Sequence, residues 1–175
     1  GSNDVTIEAY GATIMCEGWM EPLSIVNSRN FTVRGLTIDY RRKPFSEGIV
    51  QSIDDNSFVI RFDSRRQITN ELPITRMTIW DNEISGVYAV PFYFPKRQLL
   101  DNNQVRFNGK LPKRLLGANL AALHSFHFRP AILIHKSINT LLEGVTIHSQ
   151  PGMGIVGFDS KDITIRRLSV TPADG

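Results

Sequence analysis

The sequence predicts an all-β protein, a parallel β-helix of partial extent interrupted by a small inserted antiparallel β-barrel or sandwich. The first observation is a repeat. Ser137-Ile138-Asn139-Thr140-Leu141-Leu142-Glu143-Gly144-Val145-Thr146-Ile147 returns 23 residues later as Ser160-Lys161-Asp162-Ile163-Thr164-Ile165-Arg166-Arg167-Leu168-Ser169-Val170. The same text stands upstream from Ser28 to Ile38, and a weaker copy runs from Ser2 to Ala9. Self-similarity at a period of roughly 20 to 50 residues marks stacked units, none of which buries its apolar face alone. The second observation is period-two alternation within each copy, which is the pattern of a strand. The third is the disappearance of the repeat between Tyr40 and Ala131, where short strand-like runs alternate with turn residues.

Taken in order, Asn3 to Ile14 and Leu23 to Tyr40 read as short strands. Phe31, Val33, Leu36 and Ile38 point inward in that reading, with Thr32 and Thr37 outward. Gly35 and Gly144 occupy matching bends, where a permissive backbone is required. Asn30, Asn139 and Asp162 share the position just before the first strand of their copies. Such side chains tolerate left-handed backbone and bond locally, so stacking predicts a ladder of them.

The interruption opens as a hairpin, Gly48 to Ile53 and Ser57 to Asp63 around Asp54-Asp55-Asn56. Met77 to Trp80, Gly86 to Phe94 and Gln104 to Phe107 read as further strands, with Pro91 and Pro95 confined to edges or loops. Leu115 to Ser125 suits either a short helix or a strand, and strand is preferred. The expected organisation is residues 1–45 as the first coils, 46–128 as the insertion and 129–175 as further coils. The copies begin and end without polar caps, so the chain reads as a piece of a longer protein.

Composition is that of an ordinary globular protein, 41% hydrophobic and 21% charged. Twenty basic against seventeen acidic residues leave a formal charge of +3, too small to argue for nucleic acid. Cys16 is alone, which excludes an internal disulfide framework. No apolar run approaches the roughly 18 residues needed to span a bilayer, so no membrane insertion is expected.

Candidate chemistry clusters at the exits of the repeat strands. His148-Ser149-Gln150-Pro151-Gly152-Met153-Gly154 forms a tight loop in which His148, Gln150 and Met153 line one edge of the stack. Loops at the same point of successive coils form a cleft, which suits substrate binding; the text equally suits a plain turn. Asp39-Tyr40-Arg41-Arg42-Lys43 leaves the earlier copy at the same point. Asp39 and Tyr40 can bind sugar hydroxyls there, or belong to a solvated junction. Asp174 follows the last copy and is the candidate acid or base, although alone beside Gly175 it also reads as a turn aspartate. His124 and His127 lie three apart, which is no metal signature, and they are read as structural. No cofactor and no metal are expected.

Val145-Thr146-Ile147-His148-Ser149 through Pro151-Gly152-Met153-Gly154-Ile155 to Asp162-Ile163-Thr164-Ile165 resembles the pectin-lyase-like superfamily of right-handed parallel β-helices. With Ile38-Asp39-Tyr40, Pro44-Phe45-Ser46-Glu47-Gly48 and the β-type insertion, the layout looks most like the α-1,3-galactosidases of glycoside hydrolase family 110. The resemblance implies an oligosaccharide or polysaccharide substrate, secretion or export to a periplasm, and inverting hydrolysis of terminal α-1,3-linked galactose by two aspartates. It places that pair beyond residue 175. Asp174 is then the nearest match to a first catalytic aspartate, but Thr171-Pro172-Ala173 departs from the expected Asn-Thr before it. Two other functions share the repeat: a non-catalytic β-helix that binds glycan or serves as a stalk, and a polysaccharide lyase.

Overall fold

The computed structural model describes residues 1–81, 83–84, 86–87, 92–93, 95–125 and 129–173. The chain is all-β, with parallel and antiparallel sheets, and divides into two compact units. Unit 1 comprises Gly1–Pro44 and Phe126–Gly175, and unit 2 comprises Phe45–Ser125.

Unit 1 begins with β1 (Asn3–Glu8), β2 (Thr13–Cys16), β3 (Leu23–Val26), β4 (Arg29–Arg34) and β5 (Thr37–Tyr40). In unit 2, β6 (Phe45–Ile53) and β7 (Ser57–Phe62) are followed by β8 (Arg76–Asp81), β9 (Gly86–Val87), β10 (Phe92–Tyr93), β11 (Arg97–Leu99), β12 (Gln104–Asn108) and β13 (Asn119–Leu123). Unit 1 resumes with β14 (Pro130–His135), β15 (Ile138–Glu143), β16 (Thr146–Ile147), β17 (Met153–Phe158), β18 (Lys161–Arg166) and β19 (Ser169–Val170).

Unit 1 holds three parallel sheets, ordered β1-β4-β15-β18, β17-β14-β3 and β19-β16-β5-β2. Each full copy of the repeat contributes one strand to each sheet. In the first sheet Val33 pairs with both Ile7 and Leu142, and Leu142 pairs with Ile165. Val33, Ile38, Ile132, Ile134, Leu142 and Ile147 are buried in one core with Phe31 and Leu36. Burial of each such side chain contributes about 1.5–3 kcal/mol. The inward assignments of Phe31, Val33, Leu36 and Ile38 therefore hold.

Two ladders of polar side chains run across the rungs. Asp4, Asn30, Asn139 and Asp162 all adopt positive φ, between 55° and 58°. Asn139 Nδ2 donates to Asn30 Oδ1 at 2.8 Å, and Asn30 Nδ2 donates to Asp4 Oδ1 at 2.7 Å. These residues lie one position inside their strands rather than just before them. The left-handed residue forms an unpaired kink between two paired ones, such as Arg29 and Phe31. The second ladder is of serines. The Ser28 N–H donates to Ser137 Oγ at 3.1 Å, and the Ser137 N–H donates to Ser160 Oγ at 3.0 Å. Along the other end of the first sheet, Glu8, Arg34, Glu143 and Arg166 are successive register partners, so charge alternates from strand to strand.

Unit 2 is one antiparallel sheet in the order β10-β8-β13-β6-β7-β12-β11, with β9 paired to β8. Its own core includes Phe58, Ile60, Met77, Ile79, Phe107 and Leu120. Phe58 and Phe107 stack with centroids 5.6 Å apart. The hairpin strand starts at Phe45, three residues earlier than the alternation from Gly48 suggests, because Phe45 to Ile49 pair with β13. The expected strand Gly86 to Phe94 is two short ones among the described residues, and Pro91 lies outside them. Leu115 to Ser125 resolves into a single 3₁₀ turn, Lys113–Leu115, followed by β13. Gly117 at φ +80° breaks the run between them.

Candidate functional site

The site is built by strand register. β16 lies beside β5, with Thr146 opposite Thr37 and Ile147 opposite Ile38. The next residues, His148 and Ser149, therefore leave the sheet alongside Asp39 and Tyr40. On the other side β2 pairs with β5, setting Met15 opposite Asp39 and Cys16 opposite Tyr40. Two segments 110 residues apart thus meet, and Ser149 Oγ donates to Asp39 Oδ1 at 2.9 Å.

Asp39 is the centre of this edge. Its Oδ1 also accepts the Tyr40 N–H at 2.7 Å and the Lys43 ammonium. Burial pushes the carboxyl up, but Lys43, the Tyr40 N–H and the Ser149 hydroxyl outweigh it and hold it below the ordinary value. Asp39 is therefore an ionised strut and not a proton donor at neutral pH. Tyr40 is 1% exposed, and its hydroxyl donates to the Met20 carbonyl at 2.9 Å. Burial, with Cys16 beside it, pushes the phenol well above its usual range. Tyr40, expected among the substrate-binding residues, is a core residue with a tethered tip. Cys16 is buried too, and burial raises its thiol.

His148 is half-buried. Its Nδ1 lies 3.0 Å from the Thr171 carbonyl oxygen, which can only accept, so Nδ1 carries the proton. Nε2 is then the edge left for a ligand. Gln150 is half-buried, Pro151 is buried, and Met153 is 38% exposed at the start of β17, where it pairs with Pro130. His148, Gln150 and Met153 thus share one short loop, with Asp39 joined to it through Ser149. Asp174 lies outside the described residues.

His124 belongs to unit 2 and is 1% exposed. Its Nδ1 donates to the Pro73 carbonyl at 2.7 Å, so Nε2 accepts from the Ser46 hydroxyl at 2.8 Å. Both ring nitrogens have structural partners. His127 lies outside the described residues. Among the described residues no group of three or more His, Cys, Asp or Glu side chains is placed to hold a metal ion. Among them, too, no helix is long and apolar enough to cross a membrane.

No family model matches the chain. Three curated proteins align with nearly all of it, and each is named α-1,3-galactosidase B. The Bacteroides thetaiotaomicron protein is 25% identical over 97% of this chain and 31% of its own length. The Parabacteroides distasonis protein is 23% identical over 97% and 31%, and the Akkermansia muciniphila protein 20% identical over 93% and 23%. The chain is related to these galactosidases. It spans 31% of the length of the first two relatives. Alignment across both units ties the insertion, as well as the repeat, to that relation.

Reading the sequence alone missed the roles of Ser149, Lys43 and Cys16. Ser149 was within reach, since aligning the copies at Ile38 and Ile147 sets Tyr40 beside it. Lys43 was not, because its partner depends on how the chain turns after β5, and Cys16 was not, because the weak first copy leaves the register of β2 on β5 open.

Proposed function

We propose that this chain is part of a glycoside hydrolase that removes terminal α-1,3-linked galactose. The observation that carries the reading is the alignment of 97% of the chain with proteins named α-1,3-galactosidase B. In this reading unit 1 is a run of right-handed parallel β-helix coils, as in pectin-lyase-like proteins, and unit 2 is a barrel-like insertion. The three-sheet cycle of the repeat supports the first part, and the antiparallel sheet with its own core supports the second. His148, Gln150 and Met153 line the substrate cleft, and Asp39 holds their loop through Ser149. Inverting hydrolysis needs two carboxyl groups about 6.5–9.5 Å apart, one of them protonated. Asp39 is held ionised and tied to Lys43, Ser149 and the Tyr40 N–H, so it is not the acid. The resemblance to family 110 places the catalytic pair beyond residue 175, with Asp174 as a candidate member. Export to a periplasm or cell exterior goes with a polymeric glycan substrate.

The test is hydrolysis of α-1,3-galactobiose by the full-length gene product, followed by proton NMR. The expected result is release of galactose that first appears as the β-anomer. Absence of galactose release, with saturable glycan binding retained, would replace this reading with a non-catalytic module. Unsaturated uronide products from pectic substrates would replace it with a lyase.

A further inference from the structure

Unit 2 presents an open groove of about 780 Å³ on its sheet, within the usual range of about 300–1,000 Å³ for small-ligand sites. It is lined by Glu47 and Ile49 of β6, Arg61 of β7, Trp80 of β8, Asn119 of β13, and Asn102 from the turn before β12. Strand register builds it. Asn119 pairs with Ile49 and Ile49 with Arg61, and Trp80 follows directly on the Ile79–Leu120 pair. Alternation then sends these side chains to the outer face while Val50, Ile60, Ile79 and Leu120 go to the core. Trp80 is 42% exposed and Ile49 is 40% exposed, so an indole and an aliphatic patch lie open on a rigid sheet.

We infer that this groove of unit 2 is a carbohydrate-binding site that takes a neutral pyranose of a glycan chain. A pyranose has an apolar C–H face and a rim of vicinal hydroxyls. The Trp80 indole offers a flat apolar surface for the first. The Glu47 carboxylate, the Asn102 and Asn119 carboxamides and the Arg61 guanidinium are planar groups, each able to bridge two adjacent hydroxyls. The groove contains both signs of charge, and its other acid, Asp63, is already held by Arg65 through Nε at 3.0 Å and Nη2 at 2.6 Å. That balance suits an uncharged ligand and disfavours a polyanion. The site does not depend on the hydrolytic reading. It can exist in a glycan-binding protein with no catalytic activity, and the hydrolase can exist without it.

The experiment is titration of the 175-residue chain with α-1,3-galactobiose, lactose, maltotetraose and N-acetylchitotetraose, each followed by ¹H–¹⁵N NMR. At least one saccharide is expected to saturate with a Kd of about 1 mM or tighter. Its shift changes should centre on the Trp80 indole N–H and the Asn102 and Asn119 carboxamides. Trp80→Ala should weaken binding about tenfold or more, as expected for a central aromatic anchor. Glu47→Gln and Arg61→Met, at exposed positions that leave the core intact, should each weaken it severalfold and decide the matter if Trp80→Ala fails to fold. The proposal is overturned if no saccharide shifts these signals at up to about 10 mM. It is equally overturned if binding survives the Glu47 and Arg61 substitutions, or if the shifts map to His148, Gln150 and Met153 instead. Neither outcome bears on galactose release by the full-length protein.

Discussion

Asp39 shows how a residue with catalytic chemistry comes to serve architecture. Three donors converge on one of its oxygens, and its Lys43 partner is itself mostly buried. Asp39→Asn removes the charge that Lys43 faces, and is expected to cost about 1–3 kcal/mol in urea unfolding at neutral pH. The pH dependence has a fixed sign. The folded-state value is depressed, so Asp39 contributes stability above the ordinary carboxylate value of 3.8 and loses it as pH falls through the folded value. The wild-type advantage over Asp39→Asn should therefore shrink in acid, and an advantage that grows there would contradict the strut role. Gly35 is constrained differently. Its φ is +69°, and a Cβ there would stand 2.4 Å from Tyr10 Cδ1. Gly35→Ala should cost about 1–2 kcal/mol for the left-handed backbone alone, with a steric part added. Combining it with Tyr10→Ala should recover only the ring's share of that steric part, because Tyr10 Cα also stands 2.8 Å from the same Cβ, as measured by a double-mutant cycle.

At the scale of the element, the serine ladder tests the stacking of rungs. Ser137 is fully buried, accepts the Ser28 N–H, and donates to the His135 carbonyl at 3.0 Å. Ser137→Ala leaves a buried N–H without its acceptor, and should destabilise unit 1 by about 1–3 kcal/mol in thermal or denaturant unfolding. Ser2 is exposed and stands at the end of the same ladder, donating its N–H to Ser28 Oγ at 3.2 Å. Ser2→Ala should stay within about 0.5 kcal/mol of wild type. The Asn30 and Asn139 positions were legible in the sequence because repetition multiplies a weak local preference. The same preference in a single unrepeated loop carries little information. Boundaries in unit 2 were harder. Phe45 joins β6 only because β13 lies beside it, and β13 is 70 or more residues away in sequence, as with the Ser46–His124 contact at 78.

At the scale of the molecule, two separate cores predict separable stability. Phe107 is fully buried and stacked on Phe58 within unit 2. Phe107→Ala should cost about 3–5 kcal/mol, seen as lost amide-exchange protection in β6, β7, β12 and β13. Protection in β4 and β15 should change much less, and an equal loss in both units would show one cooperative body. The alignment with the galactosidases spans both units, although each has its own core.

The sequence by itself determined the recurrence of the strand text, its inward-facing residues and the left-handed asparagine ladder. Those are local or periodic properties, and repetition writes them several times. Only the tertiary structure decided which side chains meet. It buried Asp39 and Tyr40 and brought Ser149, Lys43 and Cys16 against them. It also assembled Trp80, Glu47, Arg61 and Asn119 into one groove from four strands. Antiparallel pairing between distant segments sets that arrangement, and no period in the chain announces it.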